Sequence, residues 1–137
     1  MKTGIVFILP LLVAFSTCTQ PTDSTPPGAF AYTSYDSTGV PLSSGWFSMK
    51  FADSVTISGE WHFNPMDNPQ EVGPQIGEGT LRGMIHADQV LIELNPDYAD
   101  NNVSLSGTMT DNRISGIWMW TTFAGPTNQG TFNAVRK

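Results

Sequence analysis

At 137 residues, 39% of them hydrophobic, the chain has room for one domain with one core and excludes a second of ordinary size. Six Lys or Arg stand against twelve Asp or Glu, a formal charge of −6, which excludes nucleic acid and anionic membrane surfaces as charge-held partners. The one cysteine excludes a disulfide within the chain.

Lys2 precedes an uncharged apolar run from Ile5 to Phe15, too short for a spanning helix, which predicts a secretory signal over residues 1–17. Its removal takes Lys2 away and leaves five Lys or Arg against twelve Asp or Glu, a formal −7. The run ends in Phe15-Ser16-Thr17-Cys18. This resembles the lipobox of bacterial lipoproteins, a large aliphatic residue and two small ones before a cysteine that becomes the lipidated N-terminus; it departs from that pattern at Phe15 and Thr17. The resemblance implies lipidation at Cys18 and a membrane-anchored protein of a bacterial cell envelope. Cleavage after Ala14-Phe15-Ser16 would instead release a soluble secreted protein with a free thiol. Residues 18–28, with "TQPTDSTPPG", are polar and proline-rich and predict a semi-extended tether. The folded domain is expected over 29–137.

From Ala29 onward no stretch spaces its apolar residues as a helix does, whereas alternation with period two recurs. A first strand is expected around Phe30 and Tyr32. The inward sets then run Phe47, Met49, Phe51; Val55, Ile57, Gly59, Trp61, Phe63; Leu81, Gly83, Ile85; Val90, Ile92, Leu94; Val103, Leu105, Gly107, Met109; and Ile114, Gly116, Trp118, Trp120, before a last strand around Phe132 and Ala134. The fold class is therefore all-β, an antiparallel up-and-down meander of about eight strands in a closed or nearly closed barrel. Tight turns are expected at 52–54, 87–88 and 111–112, and long loops at 36–44, 64–79, 95–102 and 122–129. Because they alternate along the chain, all long loops fall at one end of the barrel. Every proline after Pro27 is expected in a long loop.

One motif is written twice: "ISGEWHF" at Ile57–Phe63 and "ISGIWMW" at Ile114–Trp120. Its inward glycine lets a strand bend and its aromatics fill the interior, which suits barrel closure. This layout resembles calycin-type barrels, the lipocalin and avidin-like group, across Ala29 to Lys137. The ending "GTFNAVRK" after the second motif is similar to the last hairpin of uncharacterised bacterial lipoproteins with such domains. The Gly-x-Trp fingerprint of lipocalins is absent from the first strand, and no functional residue carries over.

Phe47, Trp61, Phe63, Trp118 and Trp120 are expected to gather under the long loops as an aromatic mouth for a small apolar or aromatic molecule. They serve equally to plug a packed barrel. The inward face carries almost no ionisable side chain, so no catalytic residue, cofactor or metal site is assigned and enzymatic activity is not expected. Glu60 and His62 share an outer face, and "DYADNN" at Asp97–Asn102 is oxygen-rich without the pattern of a calcium loop. Met84 is expected opposite Leu91 on the outer wall. The alternative function is a ligand-free structural or protein-interaction module that uses the 64–79 loop and its neighbours.

Overall fold

The computed structural model describes residues 24–137; the expected leader, Cys18 and the first part of the tether lie outside the described residues. The described residues form nine strands and no helix: β1 (Phe30–Tyr35), β2 (Pro41–Phe47), β3 (Lys50–Phe51), β4 (Thr56–Pro65), β5 (Gly77–His86), β6 (Gln89–Glu93), β7 (Asn101–Thr110), β8 (Arg113–Thr122) and β9 (Gly125–Arg136). All neighbours pair antiparallel. Because β2 pairs with both β1 and β4, and β1 with β9, the order β1-β2-β4-β5-β6-β7-β8-β9 returns on itself as a closed barrel of eight strands. The short β3 continues the line of β2 along β4. Between them the Ser48 N–H donates to the Glu60 carbonyl at 2.8 Å, and Ser48 Oγ accepts from the Glu60 N–H at 3.0 Å.

Alternation along each strand decides the core. Phe30, Tyr32, Phe47, Ile57, Trp61, Phe63, Leu81, Ile92, Val103, Leu105, Ile114 and Trp118 are all buried inside. Two residues read as inward are exposed, Phe51 at 49% and Val55 at 42%, and Met49, Met109 and Trp120 are only partly buried. Phe51 lies opposite Ile57 but ends the two-residue β3 at the rim. Val55 belongs to a turn in which Asp53 Oδ1 accepts from the N–H groups of Val55 and Thr56, at 2.8 and 2.6 Å.

The two-residue turns Ala87-Asp88 and Asp111-Asn112 stand where the sequence puts them, each with its first residue left-handed (φ 54° and 52°). The segment 122–129, in contrast, is not a long loop. β8 and β9 continue to a two-residue tip, Phe123-Ala124, and absorb an irregularity where Trp120 faces Asn128 but Thr121 faces Pro126. Nor do all prolines lie in loops: Pro41 opens β2, Pro65 closes β4, and Pro126 is the second residue of β9. These are strand ends and an irregular position, where a missing N–H interrupts no continuous ladder.

Both ends of the domain meet at the tight-turn end. Gly28 N–H donates to the Lys137 carbonyl at 2.8 Å, Lys137 N–H to Ala29 at 2.9 Å, and Arg136 N–H to Asn112 at 2.7 Å. The opposite end carries the 36–40 turn, the 66–76 and 94–100 segments and the 123–124 tip.

Candidate functional site

The repeated motif is built twice on opposite walls, since β4 and β8 lie four strands apart around the barrel in either direction. In the first copy Trp61 faces Gly79 on β5, and its indole N–H passes beyond that strand to the Leu94 carbonyl at 2.8 Å. In the second, Trp118 faces Gly130 on β9 and reaches the Tyr35 carbonyl, also at 2.8 Å. Each indole thus straps three consecutive strands from inside. A glycine must lie beneath it, because a Cβ at Gly79 would stand 2.9 Å from Trp61 Nε1 and one at Gly130 2.6 Å from Trp118 Nε1.

The five expected site aromatics do not form one mouth. Trp61 and Phe63 touch, with ring centroids 5.1 Å apart. Phe63 stacks on Tyr32 at 4.0 Å, and Tyr32 meets Phe47 edge-on at 6.1 Å. Phe47 ends β2 rather than beginning its strand, so it packs toward the terminus end against Phe30 at 5.2 Å. Trp118 and Trp120 stand on the opposite wall. Trp118 is fully buried; Trp120 is partly buried and donates to Asn101 Oδ1 at 2.8 Å.

The 66–76 segment folds over the end of the barrel. Val72 and Gln75 are buried there and Ile76 packs against the core. Gly73, at φ +66°, lies against the Trp120 ring so closely that a Cβ would stand 2.5 Å from it. The cover is tied on two sides, by Asn95 Nδ2 donating to Pro74 at 3.1 Å and Asn128 Nδ2 to Glu71 at 2.9 Å, and is braced within itself by Gln75 Nε2 donating to the Val72 carbonyl at 2.7 Å. Beneath it lies a small polar layer that the apolar rows do not announce. Ser34 and Ser43 share a buried hydrogen bond of 2.7 Å, and the Tyr32 hydroxyl lies 3.5 Å from Gln75 Oε1. Burial pushes the Tyr32 phenol well above its usual range, so it remains a neutral donor. The position of Ser34, two residues beyond Tyr32 on the same inward row, was the signal available in the sequence.

Outside the barrel, Trp46, His62 and Glu78 occupy one cross-strand row; His62 Nδ1 pairs with Glu78 at 3.2 Å, not with Glu60. Among the described residues no three His, Cys, Asp or Glu side chains come together as a metal-binding group. In "DYADNN", Asn102 Oδ1 accepts from the Asn95 N–H at 2.9 Å, Asn101 Oδ1 takes the Trp120 indole, and Asp97 lies 3.3 Å from Arg82 on β5. Met84 does face Leu91, and their row continues through Ser106 to Ile117.

The four connections at the covered end share a composition. Each presents one large exposed apolar side chain: Val40 (53%), Met66 (36%), Tyr98 (66%) and, at the hairpin tip, Phe123 (94%). Among them stand Asp36, Asp67, Glu71, Asp97 and Asp100, with no Lys or Arg. A groove of about 490 Å³ runs between the 36–40 turn and the 66–76 cover, lined by Asp36, Val40, Met66, Asp67, Glu71 and Asn128 among others. Comparison with protein-family models, with curated proteins and with solved structures finds no match.

Proposed function

We propose that the protein is a recognition module of a bacterial cell envelope, a filled barrel that holds four connections as one rigid, non-catalytic binding surface for a protein partner. The observation that carries this reading is the placing of Val40, Met66, Tyr98 and Phe123, one on each connection, at a single end. A phenylalanine left 94% exposed on a two-residue tip contributes nothing to the core. Burying it against a partner gains roughly 1.5–3 kcal/mol, as for an interface anchor. The five carboxylates around these side chains suit a partner whose rim is basic.

Anchoring fits the same picture. The described chain begins beside Lys137, at the end away from the connections, so a tether running back to a lipidated Cys18 directs them outward from the membrane. Calycin ancestry belongs to the proposal and rests on barrel architecture alone. A small apolar ligand inside the barrel requires Val72, Gln75 and Ile76 to lift first, because they occupy the mouth.

The test is capture of envelope proteins by the wild type and by a Tyr98→Ser/Phe123→Ser variant. Because both side chains are exposed, the variant should keep its unfolding midpoint while its captured partner is lost. Retention of the same partner at wild-type strength would refute the reading. Shortening 66–76 is the poorer experiment, since that removes the cover over Tyr32 and Phe63.

A further inference from the structure

The barrel has an uneven seam between β5 and β6. Ladder partners between them run from His86 and Gln89 only to Arg82 and Glu93, whereas β5 begins at Gly77. The first half of β5 therefore has a neighbour on the β4 side alone. Parity tells which backbone groups are open. Ile85 N–H donates toward β4, to the Val55 carbonyl at 2.8 Å, so Gly83, Leu81 and Gly79 also address β4, and Arg82, Thr80 and Glu78 address the other side. Past Arg82, the N–H and C=O groups of Glu78 and Thr80 face a cleft of about 210 Å³ whose far wall is Leu94 to Tyr98. Trp61 lines it too, its own N–H already taken by Leu94.

The opposite wall shows how such an edge is normally handled. There β9 extends beyond the last residue of β1, and the chain covers it itself through Asn128 and Glu71. At the β5 edge the 94–98 segment stands off across the cleft, held by Trp61 to Leu94 and by Arg82 to Asp97, and pairs with no backbone group of Glu78 or Thr80 in the ladder.

We propose that the β5 edge at Glu78–Thr80 accepts an extended, basic peptide segment as an added strand. Backbone pairing supplies the affinity, as in other strand-addition sites. Charge selects the occupant: Glu78 and Asp97 flank the cleft, and Glu60 lies in the adjoining groove of about 330 Å³ with Trp46 and Thr80. Arg82 is the one Lys or Arg nearby and is engaged by Asp97; Glu78 shares its carboxylate with His62. Tyr98, two-thirds exposed, offers a ring face to a Lys or Arg side chain. A second copy of this chain is disfavoured, because edge-to-edge pairing brings Glu78 and Asp97 against their own counterparts. The site goes beyond the loop-tip reading and does not depend on Phe123.

The experiment titrates the isotope-labelled protein with a blocked Lys-Val-Lys-Val-Lys peptide and follows backbone amide shifts. Changes should concentrate at Glu78, Thr80 and 94–98, and the blocked Glu-Val-Glu-Val-Glu peptide should produce none. Thr80→Pro removes a donor that faces the cleft and leaves the β4 ladder whole, and should weaken the Lys peptide at least about tenfold. Glu78→Lys, which alters no backbone group, should weaken it several-fold. Absence of shifts at millimolar peptide, shifts confined elsewhere, or equal binding of the acidic peptide overturns the proposal. Dimerisation of the protein through this edge overturns it as well, by giving the site to a second copy. Peptide binding that survives Phe123→Ser, while partner capture is lost, separates this site from the loop-tip surface.

Discussion

The two ends of the barrel are made from the same strands and differ in almost everything else. At the terminus end, Ala87-Asp88 and Asp111-Asn112 close their hairpins in two residues, Asp53 ties its own turn, and Lys50, Arg113, Arg136 and Lys137 lie near by. At the other end the connections are longer or projecting, carry five carboxylates and no Lys or Arg, and expose one large apolar side chain each. The first end needs only to reverse the chain. The first also leaves Phe51 and Val55 half-exposed, but only the second carries side chains as open as Tyr98 and Phe123, at 66% and 94%, and this difference supports the recognition reading proposed above.

The contrast can be broken most forcefully inside the barrel. Trp118→Ala removes a fully buried strap across β8, β9 and β1 and should cost roughly 3–5 kcal/mol in urea unfolding. Phe123→Ser, five residues later and solvent-exposed, should stay within about 0.5 kcal/mol. Equal effects would mean that the tip is part of the core after all. Gly73→Val places a branched side chain at φ +66° against Trp120 and should cost roughly 1–3 kcal/mol. Faster amide exchange confined to 71–76 and a changed tryptophan emission would show the cover lifting while the barrel holds.

Much of this architecture was legible in alternation alone, because each barrel strand has one dry face and every one-residue slip would turn it outward. The rows from Ile57, Val90, Val103 and Ile114 needed nothing more. What escaped had physical reasons. Gly125, Pro126 and Asn128 read as loop signals, yet here they accompany an irregular extension of β9. The cover over the mouth has no period, so Val72, Gln75 and Ile76 gave no pattern to read. The role of Gly79 and Gly130 under the indoles requires the register across strands, which one strand's sequence does not contain. For the same reason Phe47 was expected at the mouth: β2 begins at Pro41, four residues before the expected start, which moved the ring away from the connection end.

Smaller effects belong to the turns. Ala87 holds φ +54°, where a Cβ is unfavourable, so Ala87→Gly should stabilise by about 1 kcal/mol in the same urea assay. Smallest is a pH effect shared by both ends. Donation from Thr38, then the Val40 N–H, lowers the Asp36 carboxyl below its ordinary 3.8, and the Thr56 and Val55 N–H groups do so for Asp53. Since the folded values are depressed, the stability these carboxylates contribute is present above pH 3.8 and is lost as pH falls through the folded values. Asp36→Asn and Asp53→Asn should each flatten the loss of unfolding free energy measured below that pH. An unchanged acid limb in both variants would place its origin elsewhere.

The central claim, that the connection end and not the terminus end meets a partner, is tested most directly by site-specific photo-crosslinking. A photoreactive phenylalanine is placed either at Phe123 on the tip or at Phe51, half-exposed at the opposite rim. The account predicts one discrete crosslinked partner from position 123 in envelope preparations and none from position 51. The same partner crosslinked from position 51, with nothing from 123, would contradict it.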